Sequence, residues 1–60
     1  MNTKVRKQLE EAFQVHFEGV NFKVEHITTI FDHAEILMRM GKTPDDAMKE
    51  IVEVYRVKKD

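Results

Sequence analysis

The chain of 60 residues carries ten Lys and Arg against eleven Asp and Glu, so its formal net charge is −1. Nucleic-acid-binding domains usually carry a basic excess, which is missing overall here. With hydrophobic residues at 42% and charged residues at 35%, residues 1–60 are predicted to form one small folded domain. The absence of cysteine excludes disulfides, and no apolar run could span a membrane, so a soluble cytoplasmic protein is predicted.

The first predicted helix covers residues 3–18. Its apolar side chains recur at spacings of three and four, which places them on one face of a helix. These stripe residues are Val5, Leu9, Ala12, Phe13, His16 and Phe17. Gly19 then ends the helix, because glycine readily adopts the left-handed conformation that closes a helix.

Residues 24–40 carry the strongest helical pattern of the chain. At about 100° per residue, their apolar side chains fall in one broad arc. These arc residues are Val24, Ile27, Ile30, Phe31, Ala34, Leu37 and Met38. Glu35 and Arg39 stand four residues apart on the polar side, in the favourable charge order.

The segment 41–43 ends one helix and starts the next. Gly41 can close the second helix, Thr43 can cap the third, and Pro44 fits its first position. So short a link predicts that the flanking helices are antiparallel neighbours. The third helix is predicted over 44–57. Its buried side comprises Ala47, Met48, Ile51, Val52, Val54 and Tyr55.

The predicted fold is therefore an all-α domain of three helices with a tight helical hairpin at 41–43. A chain of this size buries only about 60% of the surface that its unfolded form exposes, which favours self-association as a homodimer. The predicted core comprises Leu9, Phe13, Phe17, Ile27, Phe31, Ala34, Leu37, Met38, Met48, Ile51 and Tyr55.

Residues 20–25 allow a second interpretation. They alternate apolar and polar side chains, which is the period of a half-buried strand. A lone strand cannot satisfy its own backbone, so a strand here would have to pair with a second copy of the chain. A helical or extended-turn structure is the preferred prediction.

No residue pattern predicts catalysis, a metal site or a cofactor. The chain has no Ser and no Cys, the two commonest nucleophiles. His26 and His33 would stand about 10.5 Å apart along a helix, which is too far to share a metal ion. His16 lies on the apolar stripe of the first helix, where a hydrogen-bonded, partly buried imidazole is expected. We therefore predict a protein that is not an enzyme.

The middle helix has a second, semi-apolar side opposite its main arc. A helix packed on one side only should carry charges there, whereas this one carries apolar side chains. The residues of this outer strip are His26, Thr29, His33, Ile36 and Met40. They are the predicted interface of a small regulatory interaction protein. Its partners would be a second copy and another protein, and its size suits a bacterial or phage accessory protein.

A DNA-binding regulator is the alternative. If residues 20–25 formed a strand, the order of strand, helix, Gly-containing turn and helix over 20–57 resembles the ribbon-helix-helix family. That resemblance implies a dimer whose two-stranded ribbon enters the major groove of DNA. It places base contacts at Asn21, Lys23 and Glu25, and a phosphate contact near Thr43.

Overall fold

Three helices and one short 3₁₀ turn make up the protein in a computed structural model that describes residues 3–57. Helix α1 runs over Thr3–Phe17, the 3₁₀ turn over Val24–His26, α2 over Ile27–Arg39 and α3 over Pro44–Tyr55. No strand is present among the described residues, so the predicted all-α, three-helix fold is confirmed. None of these helices combines the length and the apolar character that spanning a membrane requires.

The end of α1 agrees with the prediction to within one residue. Gly19 has a φ of +72°, the left-handed conformation expected of a helix-closing glycine. The Val20 N–H then donates to the Phe17 carbonyl at 3.0 Å, which closes the turn. The chain is thereby redirected at Gly19 toward the start of the second helix.

The connection between α1 and α2 is extended and then tightens into the 3₁₀ turn. Lys23 is extended, and the His26 N–H donates to its carbonyl at 2.9 Å. At the other end of the chain, the Val57 N–H donates to the Asn21 carbonyl at 2.7 Å. The preferred prediction for residues 20–25 is therefore confirmed, whereas the predicted α-helix over 24–40 begins three residues late, at Ile27.

The late start of α2 explains one wrong prediction. Val24 was expected on the buried arc, but it is 75% exposed. A 3₁₀ turn has about three residues per turn instead of 3.6, so the α-helical phase does not extend back to Val24. The side chain consequently points away from the arc that Ile30 and Phe31 bury.

The link between α2 and α3 is a Schellman motif. Gly41 has a φ of +101° and donates its N–H to the Met38 carbonyl at 3.0 Å, while Lys42 donates to the Leu37 carbonyl at 3.1 Å. These two bonds satisfy carbonyls that the helix end would otherwise leave unpaired. The predicted helix-stop at Gly41 is confirmed.

Helix α3 begins with the predicted cap. The Thr43 hydroxyl accepts a hydrogen bond from the Asp46 N–H at 3.1 Å, and Pro44 occupies the first helical position. Asp45 and Asp46 place negative charge in the first turn, which complements the positive end of the helix dipole.

Helix α3 is the common partner of the other two helices, since it packs against both α1 and α2. Its Ala47, Met48 and Ile51 side chains are fully buried, as is Leu9 of α1 and Ile30 of α2. Every predicted core residue is either buried or packed against the buried cluster. The cluster also buries four residues that the predicted core omitted: Ala12, Ile30, Ala47 and Val52.

Val54 is the second apolar residue whose placement was predicted wrongly. It was expected on the buried side of α3, but it is 66% exposed. The buried arc of α3 is centred between Ile51 and Met48, and Val54 lies about 90° from that centre at about 100° per residue. Its side chain therefore points to the solvent beside the arc.

We predict that Phe31→Ala lowers the free energy of unfolding by about 3–5 kcal/mol, because it removes a buried ring from a small core. Chemical denaturation followed by circular dichroism measures this change. Val24→Ala is the control: it removes an exposed side chain and should change stability by less than about 0.5 kcal/mol. Equal effects of the two substitutions would contradict the described core.

Replacing the capping residue should lower the free energy of unfolding through its effect on the start of α3. Thr43→Ala removes the hydroxyl that accepts from the Asp46 N–H, so we expect a loss of about 1 kcal/mol in a denaturation experiment. Thr28→Ala, at an exposed position of α2, removes the same atoms without removing a cap. A loss as large for Thr28→Ala as for Thr43→Ala would show that the cap is not the cause.

Candidate interaction surface

The predicted outer strip lies along α2 and divides into an exposed part and a half-buried edge. Thr29, Ile36 and Met40 are exposed, with Ile36 at 53% and Met40 at 72% of their full accessible surface. Ile36 and Met40 stand four residues apart, hence about one turn apart on the same face. The chain thus presents two large apolar side chains side by side to the solvent.

The two histidines of the strip form its half-buried edge, where α2 meets α3. The rings of His26 and His33 both stand edge-on to the Tyr55 ring, at centroid distances of 5.7 and 6.1 Å. Tyr55 is at the C-terminal end of α3 and His26 directly precedes α2, so these contacts confirm that the two helices run antiparallel. The histidines consequently join the strip to α3.

The His26 ring also contains an unpaired polar atom. Its Nδ1 atom is buried and has no hydrogen-bond partner among residues 3–57. A buried polar atom without a partner costs about 1–3 kcal/mol. The contact with Tyr55 is therefore one of ring packing and not of hydrogen bonding.

Two exposed ion pairs have their acidic residue on α3. Lys42 Nζ lies 2.7 Å from Glu50 Oε2, and Arg56 lies 3.7 Å from Glu53. The hydrogen bond to Glu50, followed by the charge of Glu50, raises the pKa of Lys42 above its ordinary value. Lys42 follows Met40 by two residues, in the turn between α2 and α3.

A second surface feature is a shallow groove that the sequence analysis did not identify. Phe13 and Phe17 stack at a centroid distance of 4.6 Å, and Phe22 stands edge-on to both at 5.5 and 5.2 Å. Phe13 also meets Phe31 at 5.3 Å, which connects α1 to α2. The groove is lined by Phe13, Gln14, Val15, Phe17, Glu18 and Phe22. Its clearest signal in the sequence is the apolar Phe22 next to the turn.

His16 has the structural role expected of it. It is partly buried on α1, and its Nε2 atom lies 2.7 Å from Asp45 Oδ1 in the first turn of α3. The histidine side chain is 21% exposed and the aspartate side chain 70%. This contact joins α1 to the start of α3, which no spacing in the sequence could indicate because the two residues are 29 positions apart.

The residues of the DNA-binding alternative lie in two separate connections. Asn21 and Lys23 are exposed between α1 and α2, where the Asn21 carbonyl is bonded to Val57. Thr43 lies in the other connection, and its hydroxyl already accepts from the Asp46 N–H. Glu25 belongs to the 3₁₀ turn. Residues 20–25 thus form no strand, whereas the alternative requires Asn21, Lys23 and Glu25 to lie on one.

No group of three or more His, Cys, Asp or Glu side chains within residues 3–57 is placed to hold one metal ion. Comparison with known proteins assigns the chain to no family. No protein-family model, no curated protein and no solved structure matches the chain.

The His16–Asp45 contact should stabilise the fold modestly, because Asp45 is largely exposed. In a double-mutant cycle with His16→Ala and Asp45→Ala, we expect a coupling of about 0.2–1 kcal/mol in the free energy of unfolding. Asp46 also lies in the first turn of α3 but makes no contact with His16, so Asp46→Ala with His16→Ala is the control cycle. Coupling of the same size in both cycles would contradict a specific contact.

Proposed function

We propose that this chain is a non-catalytic, regulatory interaction protein that acts through the outer strip of α2, binding a second copy of itself, another protein, or both. The observation that carries the proposal is the exposure of Ile36 and Met40, one turn apart on one helix. Single exposed apolar residues are common on protein surfaces, whereas adjoining ones form a continuous apolar patch that a partner can cover. The cysteine-free composition suits a cytoplasmic setting, which is part of the proposal.

The outer strip lies on a helix that the rest of the fold holds in place, which supports this proposal. Ile30, Phe31 and Ala34 are buried on the opposite side of the same helix, so α2 is held firmly by the core. His26 and His33 fix the inner edge of the strip against Tyr55. A rigid helical face loses little conformational freedom on binding, which favours association. We therefore expect binding without rearrangement of the helices.

The test is sedimentation velocity on the purified protein from about 1 to about 200 μM, the range in which micromolar association shows. Ile36→Glu, Met40→Glu replaces both exposed apolar side chains by charges at positions that the core does not use. If the wild type self-associates, we expect this variant to be a folded monomer. If the wild type is monomeric, a pull-down should recover a partner with the wild type and lose it with the variant.

The matched control is Val15→Glu, Val24→Glu. Both valines are well exposed, at 68% and 75%, and both lie outside the strip. This variant gains the same two charges and should behave as the wild type does. If the strip variant and the control are equally impaired, or if neither differs from the wild type, the strip is not the interface.

The DNA-binding alternative predicts both self-association and binding to DNA. A dimer that binds duplex DNA, with an affinity that falls steeply as salt increases, would favour that alternative over a protein partner. Lys23→Ala should then weaken binding. With residues 20–23 irregular and a net charge of −1, we do not adopt this alternative as the proposed function.

A further inference from the structure

The outer strip carries a pair of opposite charges along one edge. Asp32 and Arg39 are both exposed, and neither belongs to the ion pairs formed among residues 3–57. They are seven residues apart on α2, so they point in directions that differ by only about 20° and stand about 10.5 Å apart along the helix. Ile36 lies near the midpoint between them. Along this edge the order is therefore negative, apolar, positive. The half-buried Glu35 lies about 100° around the helix from Ile36, on the side away from Met40, and is farther from the strip.

The charges of such an edge are complementary to those of a second copy whose helix runs in the opposite direction. A twofold axis near Ile36, perpendicular to α2, exchanges the two ends of the strip. It brings Asp32 of one copy opposite Arg39 of the second copy, and the reverse pair forms at the same time. In a parallel pairing, the twofold axis runs along the helices and places the charged edge of one copy against the opposite edge of the second copy, which carries Met40 and His33. Neither Asp32 nor Arg39 would then meet its opposite charge.

The apolar residues of the strip fit the same reversed arrangement. Ile36 meets Ile36 of the second copy next to the axis. Met40 lies toward the opposite edge, and the rotation places it at the height of Thr29 and His33 of the second copy. The largest exposed side chains thus meet apolar or small polar partners, while the charges remain at the rim, where protein interfaces usually place them.

We propose that the occupant of the outer strip is a second copy of this chain, docked with its α2 antiparallel and with Asp32 and Arg39 paired across the twofold axis. This inference rests on the proposed function, because it uses the same surface and names its partner. A standard interface buries about 800 Å² on each partner, which is about 18% of the 4521 Å² surface of the protein.

Charge reversal tests the pairing. In Asp32→Arg alone, each of the two cross-pairs becomes Arg against Arg, and in Arg39→Asp alone each becomes Asp against Asp. We expect either change to raise the dimer dissociation constant about tenfold or more at low salt, since two attractions become two repulsions. The double variant restores both pairs in reverse and should return to within about threefold of the wild type.

A mixing experiment gives the same test without a double variant. Asp32→Arg has Arg at both positions, and Arg39→Asp has Asp at both positions. An equimolar mixture should therefore form a heterodimer about as stable as the wild-type dimer, although each variant alone dissociates. High salt should reduce all these differences by screening exposed charges.

The matched controls are Glu11→Arg on α1 and Lys49→Asp on α3. Each reverses an exposed charge away from the outer face of α2 and outside the ion pairs of the described chain. Neither should change the dissociation constant by more than about threefold. Thermal melts by circular dichroism confirm that each variant is folded.

The outcomes separate this inference from the function on which it rests. If Ile36→Glu, Met40→Glu abolishes the dimer but the charge reversals have no effect, the strip is the interface and the antiparallel register is wrong. If the wild type stays monomeric at about 200 μM, the second copy is not the occupant, while the strip can still bind another protein. If the dimer survives Ile36→Glu, Met40→Glu, the second copy does not occupy the strip and this inference fails. The proposed function then fails as well if the variant retains every partner that the wild type recovers in the pull-down.

Discussion

Burial of one face of α3 is the constraint on which the structure depends. Ala47, Met48 and Ile51 are fully buried because α3 packs against both other helices. In a chain of 60 residues, the core is small, so each buried side chain contributes a large share of the net stability. Loss of that face would leave α1 and α2 joined chiefly through the phenylalanine contacts.

The position of α3 is set by contacts at its beginning and beyond its end. At its start, the Schellman motif at Gly41 and the Thr43 cap determine where the helix begins, and His16 of α1 reaches Asp45 at 2.7 Å. Beyond its end, the Val57 N–H donates to the Asn21 carbonyl at 2.7 Å. Local caps, together with two hydrogen bonds between segments distant in sequence, thus hold the buried face in register with the two helices that it covers.

The same arrangement leaves the outer face of α2 uncovered by the other residues of the described range 3–57. Because α1 and α3 pack on the arc that includes Ile30 and Phe31, the opposite side of α2 faces the solvent with Ile36 and Met40 exposed. A core that holds one side of a helix rigidly presents the other side at little entropic cost. This is the physical link between the fold and the proposed interaction surface.

Local sequence signals were enough to predict the three helices, the turns at Gly19 and Gly41 and the start of α3. They did not predict that α2 begins at Ile27 instead of residue 24, or that α3 ends at Tyr55 instead of residue 57. Gly41, Thr43 and Pro44 act through local backbone chemistry, which requires no knowledge of distant residues. Every core residue that the apolar periodicity predicted is either buried or packed against the buried cluster. The same periodicity marked the outer strip on α2. It was wrong at Val24 and Val54, where an ideal α-helical phase and arc were extended too far.

Tertiary structure alone decided which side chains meet across the chain. The pairing of His16 with Asp45, the packing of both strip histidines on Tyr55 and the aromatic groove around Phe22 join segments distant in sequence. Periodicity gives the direction of a side chain around its own helix axis, but not the crossing of one helix over another. That crossing follows from the simultaneous burial of all three helices.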